Sequence, residues 1–153
     1  MTGPSSSAAV TRLVDASRLV ASGDAVAAWA ADVLATVWAG AGLDALYVGT
    51  SRGGADEAVA FWSAALATGP ALAAPGAFPY TLANAAAGRI CVALDVRGPS
   101  VTLVGPAARA HALEAARDDV ADGVCRRALV VGLDPDGSGA WRLDAEVVSA
   151  APA

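Results

Sequence analysis

A chain of 153 residues is long enough for one domain with a sizeable core, and at 56% hydrophobic and 16% charged it carries little polar side chain to spread over a surface. An interface is the economical expectation; the alternative is a monomer in which alanine is simply a good helix former. The net charge is −5 and all 10 basic residues are arginine, which argues against nucleic acid as a partner and removes Schiff-base and phosphate-loop lysines from consideration.

Met1 to Ala9 is a Ser/Gly/Pro/Ala stretch with no charged segment ahead of an apolar run, so it reads as a flexible start (residues 1–9) and not a signal peptide. Residues 10–150 read as a single domain. Val10 to Ala21 predicts a helix with Leu13, Leu19 and Val20 apolar. Ser22-Gly23-Asp24 then caps a second helix over Ala25 to Ala39, whose Val26, Trp29, Ala30, Val33 and Val37 recur at helical spacing. Trp29 and Trp38 fall on different sectors of it, which makes one of them a candidate for a partner surface or a half-exposed residue at a helix end. The most apolar window, Ala25 to Leu43, contains Asp32, so no membrane span is expected.

Ala45 to Gly49 reads as a strand running into Thr50-Ser51-Arg52-Gly53-Gly54. That loop is read as a tight strand-to-helix turn; it lacks the spacing of a phosphate or dinucleotide site, and no cofactor is expected. Ala55 to Ala67 is the next helix, with Val59, Trp62 and Leu66 on one stripe, and the proline-rich Thr68 to Pro79 is an irregular connector. Phe78-Pro79 predicts extended backbone, and Thr81 or Asn84 a cap for a helix from Ala85 to Leu94. Gly88 inside that helix suggests close approach by a neighbour. Arg97-Gly98-Pro99 breaks it, and Val101 to Val104 reads as a buried strand. Ala107 to Ala121 is a helix with Leu113, Ala116 and Val120 on one side and His111, Glu114 and Asp118 on the other. Arg127 to Leu133, the turn Asp134 to Gly139 and Trp141 to Ser149 complete the chain as a strand, turn and antiparallel strand.

Few residues offer chemistry. Cys91 lies in an apolar helix and reads as core. Cys125 has Arg126 and Arg127 beside it, and cations lower a thiol pKa, yet no histidine is placed by sequence to act as its base. With no secretion signal both cysteines read as reduced and the protein as cytoplasmic. His111, Glu114 and Asp118 make too poor a ligand set for zinc, and the Asp134 to Gly139 turn too poor a set for calcium, so no metal is expected.

Phe78-Pro79, Thr81-Leu82, Asn84, Ala87-Gly88-Arg89-Ile90 and Arg97-Gly98-Pro99-Ser100 come in an order that resembles the amino-terminal half of a β-ketoacyl synthase, a condensing enzyme of fatty-acid and polyketide synthesis. The likeness extends to Tyr47-Val48-Gly49-Thr50 with Gly53-Gly54 and to Asp122-Gly123 with Ala128 to Gly132. It implies an α/β fold, half of a thiolase-like fold, with helices packed on the faces of a mixed sheet and one helical layer left uncovered. It also implies that the nucleophilic cysteine of active members would fall at Gly105, Pro106 or Ala107, none of which is a nucleophile, and that the family's two histidines and lysine belong to a second half of the fold absent from this sequence. A subunit interface is implied at Val101, Thr102, Leu103 and Val104, with Asn84 and Arg97, because the family pairs this strand across its dimer. Paired subunits of which one lacks the cysteine occur in the family. The expectation is therefore a non-catalytic protein that dimerises with itself or with a ketosynthase, with Arg126 and Arg127 available to an acidic acyl carrier protein. A small acyl-thioester binder or acyltransfer enzyme using a groove beside Ser51, Asn84 and Cys125 is the alternative.

Overall fold

The computed structural model describes residues 8–20, 23–40 and 42–150. Five strands form one mixed sheet: β1 (Ala9–Leu19), β2 (Ala45–Thr50), β3 (Ser100–Val104), β4 (Arg127–Pro135) and β5 (Ala140–Ser149), in the order β1-β5-β4-β2-β3. β3, β2 and β4 run parallel, and β4, β5 and β1 are antiparallel neighbours. The helices are α1 (Gly23–Val37), α2 (Ala55–Thr68), α3 (Ala85–Leu94) and α4 (Ala108–Ala121). Ala9, expected in the flexible start, opens β1; the rest of that stretch, Ala8 apart, lies outside the described residues, as does the Ser22 cap.

Parallel strands are fed by helices on both faces, so their residues are apolar throughout. All six residues of β2 are buried, as are Ala128 to Leu133 of β4. Leu46, Val48, Leu129, Val131 and Leu143 face α1 and α3, where Trp29, Leu34 and Ile90 meet them. On the other face Ala45, Tyr47, Ala128, Val130 and Val148 meet Ala112, Ala116 and Val120 of α4.

Several expectations are corrected. Val10 to Leu19, expected as helix, is strand: it hydrogen-bonds along β5, and a register shift between Arg12 and Val14 disguises its alternation. β3 is an exposed edge strand and not a buried one. Phe78 and Pro79 lie inside a 3-10 turn, Pro75–Thr81, because the proline dihedral suits that tight helix as well as extended chain. Asn84 occupies the cap position of α3 without a side-chain capping bond, and the Thr81 hydroxyl donates to the Phe78 carbonyl at 2.7 Å. No atom lies within 4 Å of the place a Cβ on Gly88 would occupy, so no neighbour approaches it. The stripe of α2 is real but faces outward: Trp62 is 55% and Leu66 83% exposed, while Ala65 is the helix's buried residue. Helical period identifies a face, not the direction it points; here Phe61 turns inward, edge-on to Phe78 at 5.6 Å.

The uncovered helical layer is α4, and it is polar. His111, Glu114, Arg117 and Asp118 line its outer side.

Candidate functional site

The carboxyl ends of β2, β3 and β4 converge where β3 turns into α4. Gly105 donates its N–H to the Thr50 carbonyl at 3.0 Å and its own carbonyl receives the Ala108 N–H at 3.1 Å. Gly105 has φ 141, a value that favours glycine, and Pro106 and Ala107 complete the turn. This strand-turn-helix is where a thiolate would be stabilised by the first turn of α4, but its residues offer hydrogen, a pyrrolidine ring and a methyl.

The first turn of α4 is seated unusually close to the sheet. Gly49 and Gly132 are register partners on adjacent strands. A Cβ on Gly49 would lie 2.6 Å from the Ala108 carbonyl oxygen, and one on Gly132 would lie 2.2 Å from an Asp144 oxygen. Across this flat place Arg109 extends to β5, donating from Nε to Asp144 Oδ2 and from an Nη to Glu146 Oε1, both at 2.7 Å. The half-buried ion triad holds a cation at the helix end where an anion is the electrostatically favoured charge, with two carboxylates compensating it. Arg109 is absent from the sequence-derived candidates; the one signal for it was the glycine at matching places in two strands.

The Thr50 to Gly54 loop does hold an anion, supplied by the chain itself. Asp134, at the end of β4, accepts from the Ser51 N–H at 2.5 Å, the Ser51 hydroxyl at 2.7 Å and the Thr50 hydroxyl at 3.3 Å. Gly53 and Gly54, both left-handed, then pass against Val104, Ala83 and the Tyr80 carbonyl. Beyond them a recess of about 640 Å³ opens between α2 and two 3-10 turns, Pro70–Leu72 and Pro75–Thr81, walled by Ala60, Phe61, Ala64, Leu72, Ala77 and Tyr80.

Cys125 is at the opposite end of the parallel strands, ahead of β4, so the groove imagined beside Ser51, Asn84 and Cys125 does not exist. Its thiol is buried and its pKa is pushed up, first by desolvation and then by Asp119 and Asp44. The expected lowering by Arg126 and Arg127 fails for a local reason: their backbone N–H groups both bond Asp44 Oδ2, at 2.9 and 3.1 Å, which sets a carboxylate next to the sulfur. Arg127 lies over the Trp38 ring at 5.9 Å, and Trp38 packs against the core, so it is no free partner surface; Arg126 is exposed. Cys91 approaches the Ser100 hydroxyl at 3.5 Å. His111, Glu114 and Asp118 are exposed, and no group of three His, Cys, Asp or Glu side chains that could hold a metal occurs among the described residues.

The residues expected at an interface lie along an open sheet edge. Leu46 donates to the Pro99 carbonyl and Gly105 to the Thr50 carbonyl, so the odd-numbered residues of β3 turn their backbone groups toward β2. Ser100, Thr102 and Val104 therefore turn theirs outward. Side chains alternate independently: Val101 and Leu103 share the α4 face, and Leu103 packs into the cluster there, whereas Val104 is 54% exposed. Arg97, paired with Asp95 at 2.8 Å, precedes one end of β3, and Ala83, beside Asn84, meets the loop touching the other. The remaining sheet edge differs. β1 carries Arg12, Asp15 and Arg18 and an irregular register, features that blunt an edge, and β3 has no charge at all.

A five-stranded mixed sheet between helices, with the parallel strand β3 turning into α4, defines half of a thiolase-like fold. The sequence model of the β-ketoacyl synthase N-terminal domain matches residues 8–142, and the chain belongs to that family. Its structure is similar to the ishigamide ketosynthase/chain length factor (20% identity, TM-score 0.66, covering 74% of this chain and 38% of that one). It is also similar to a ketosynthase, ApeO, in complex with its chain length factor, ApeC, from Xenorhabdus doucetiae (11% identity, TM-score 0.68, covering 93% and 79%). A third likeness is to the oxazolomycin ketosynthase domain OzmH KS7 from Streptomyces albus JA3453 (15%, TM-score 0.52, 78% and 24%). The chain thus spans well under half the length of two of these three. No curated protein matches it. Among the described residues no helix is long and apolar enough to cross a membrane.

Proposed function

We propose that the protein is a non-catalytic ketosynthase-like accessory subunit that pairs through β3 with a catalytic β-ketoacyl synthase in polyketide synthesis. The observation that carries this reading is the contrast between the sheet's two edges: β1 is blunted by charge and irregular register, and β3 offers unpaired backbone groups among apolar and hydroxyl side chains. Condensation needs an acylated nucleophile and donors for the developing charge, and Gly105, Pro106 and Ala107 provide no nucleophile. Likeness to a ketosynthase held in complex with a chain length factor supports a heterologous partner. Val59, Trp62 and Leu66 on α2 and the nearby apolar recess would help shape that partner's acyl site. Arg126 would present a cation to an acyl carrier protein.

Co-expression with a catalytic ketosynthase tests this. The wild type should co-purify with it. Thr102→Pro should not, because proline removes an outward N–H while an edge strand tolerates it, leaving the circular dichroism spectrum of the isolated chain native. Leu103→Arg is the poorer probe, since Leu103 points into the α4 cluster and its loss would unsettle the fold. Turnover of malonyl or acyl thioesters by the purified chain alone would overturn the proposal, and so would undiminished co-purification of a folded Thr102→Pro variant.

A further inference from the structure

The recess beside α2 is apolar along its length and charged at one end. Glu57, Phe61, Ala64 and Thr68 recur at helical spacing along the wall that α2 gives it, and Leu72 and Ala77 of the two 3-10 turns belong to the other wall. The Thr68 hydroxyl is spent on the Ala64 carbonyl at 2.8 Å, so that end presents no free polar side chain. At the opposite end stand two carboxylates, Asp24 and Glu57. Arg89 donates to Asp24 Oδ1 at 3.1 Å and to the Tyr80 hydroxyl at 3.2 Å, which neutralises the first of them. Glu57 is half-buried and has no hydrogen-bond or ion-pair partner among the described residues, and those that line the recess include no cation. Its side chain lies across Gly23, where a Cβ would stand 2.6 Å from Glu57 Oε1, so the N-terminal dipole of α1 is what offsets its charge.

We propose that this recess binds a linear aliphatic amine, with the ammonium on Glu57 and the alkyl chain laid along Phe61, Ala64 and Leu72. The inference goes beyond the accessory role above, because it gives the chain a ligand of its own. At about 640 Å³ the recess falls within the range of small-molecule sites, roughly 300–1,000 Å³. From Glu57 to Thr68 the helix rises about 16 Å. An extended chain advances about 3.5 Å for every three bonds, so an alkyl chain of roughly ten to twelve carbons spans that length. Charge selects the head group. A carboxylate or phosphate would be set against Glu57, and an uncharged head would leave that carboxylate unpaired, whereas an ammonium supplies donors and asks for no acceptor besides. The walls offer methyl groups and one phenyl ring, which suit an unsubstituted tail.

Isothermal titration of the isolated chain with decylamine, below the concentration at which the amine aggregates, should show binding at a single site. Hexylamine should bind more weakly by about tenfold or more, because fewer methylenes are buried. Glu57→Gln should weaken decylamine by about tenfold, the worth of one charge-assisted hydrogen bond, and leave decanol unchanged. Ala64→Trp, at an exposed position whose ring would fill the recess, should abolish binding while the circular dichroism spectrum stays native. Decanoate binding as tightly as decylamine would overturn the choice of an amine, and so would a Glu57→Gln variant that binds decylamine like the wild type. No binding of decylamine, or binding that survives Ala64→Trp, would overturn the site. These titrations contain no ketosynthase, so their failure leaves the co-purification result standing, and a failure to co-purify leaves them standing.

Discussion

Tyr47 is the largest fully buried side chain among the described residues, and its phenol donates to the carboxylate of Asp119. Burial first, and the adjacent carboxylate second, raise the pKa of that phenol well above its ordinary value of 10.0. In the unfolded chain the phenol ionises near pH 10, and in the folded chain it stays protonated. Its stabilising contribution is thus complete below about pH 10 and is lost progressively as pH rises, since the unfolded state gives up its proton first. Urea unfolding measured across the alkaline range should show a fall in stability beginning near pH 10 that Tyr47→Phe removes. At neutral pH the same substitution should cost roughly 1–3 kcal/mol, because Asp119 loses its donor. Little of this was readable beforehand. Asp118 and Asp119 are neighbours in an acidic run, and only the fold reveals that the second turns inward, where its backbone carbonyl also receives Val124 at 2.8 Å.

At the scale of elements, close packing at glycine separates two positions that look alike in the sequence. Gly49→Ala would drive a methyl into the backbone of α4 and should destabilise the protein by roughly 1–3 kcal/mol or more. Gly88→Ala, in a helix with open space beside it, should stabilise by up to about 1 kcal/mol. Thermal melts of the pair would show opposite shifts. The order of β2, α2, α3, β3, α4, β4 and β5 was legible because apolar runs, proline and glycine mark their limits, and α3 lies where its sequence sets it, Ala85–Leu94. β1 was not legible. Arg12 and Asp15, ion-paired with each other, have a spacing that also suits a helix, and the irregular register hides the alternation of a strand. What makes Ala9–Leu19 a strand is pairing with β5, including the Asp15 to Arg142 bridge at 2.9 Å, more than a hundred residues along the chain.

For the whole molecule, exposed apolar side chains gather on α2 and the 3-10 turns, with Val104 of β3 nearby, while α4 presents charge. Composition predicted that apolar surface would be left over, and the half-fold implied one uncovered helical layer. The chain puts it on α2, and α4 turns Ala108, Ala112, Ala116 and Val120 to the sheet and its charged residues outward. Trp62→Glu and Leu66→Glu should change the stability of the isolated chain by no more than about 0.5 kcal/mol, as both side chains project into solvent. Each should weaken capture of a ketosynthase if α2 lies within that contact, which a pull-down titration would measure. That the turn at Gly105, Pro106 and Ala107 carries no nucleophile is legible in its residues; the Arg109 triad behind it was not, because its carboxylates arrive from a strand more than thirty positions away.

A sheet with two receptive margins could grow without limit into a filament. Here growth has a terminus: once β3 is covered, the only margin left is β1, with its charges and uneven backbone. Concentrating the protein should therefore produce no fibril, a chemical stop against polymerisation written into Arg12, Asp15 and Arg18.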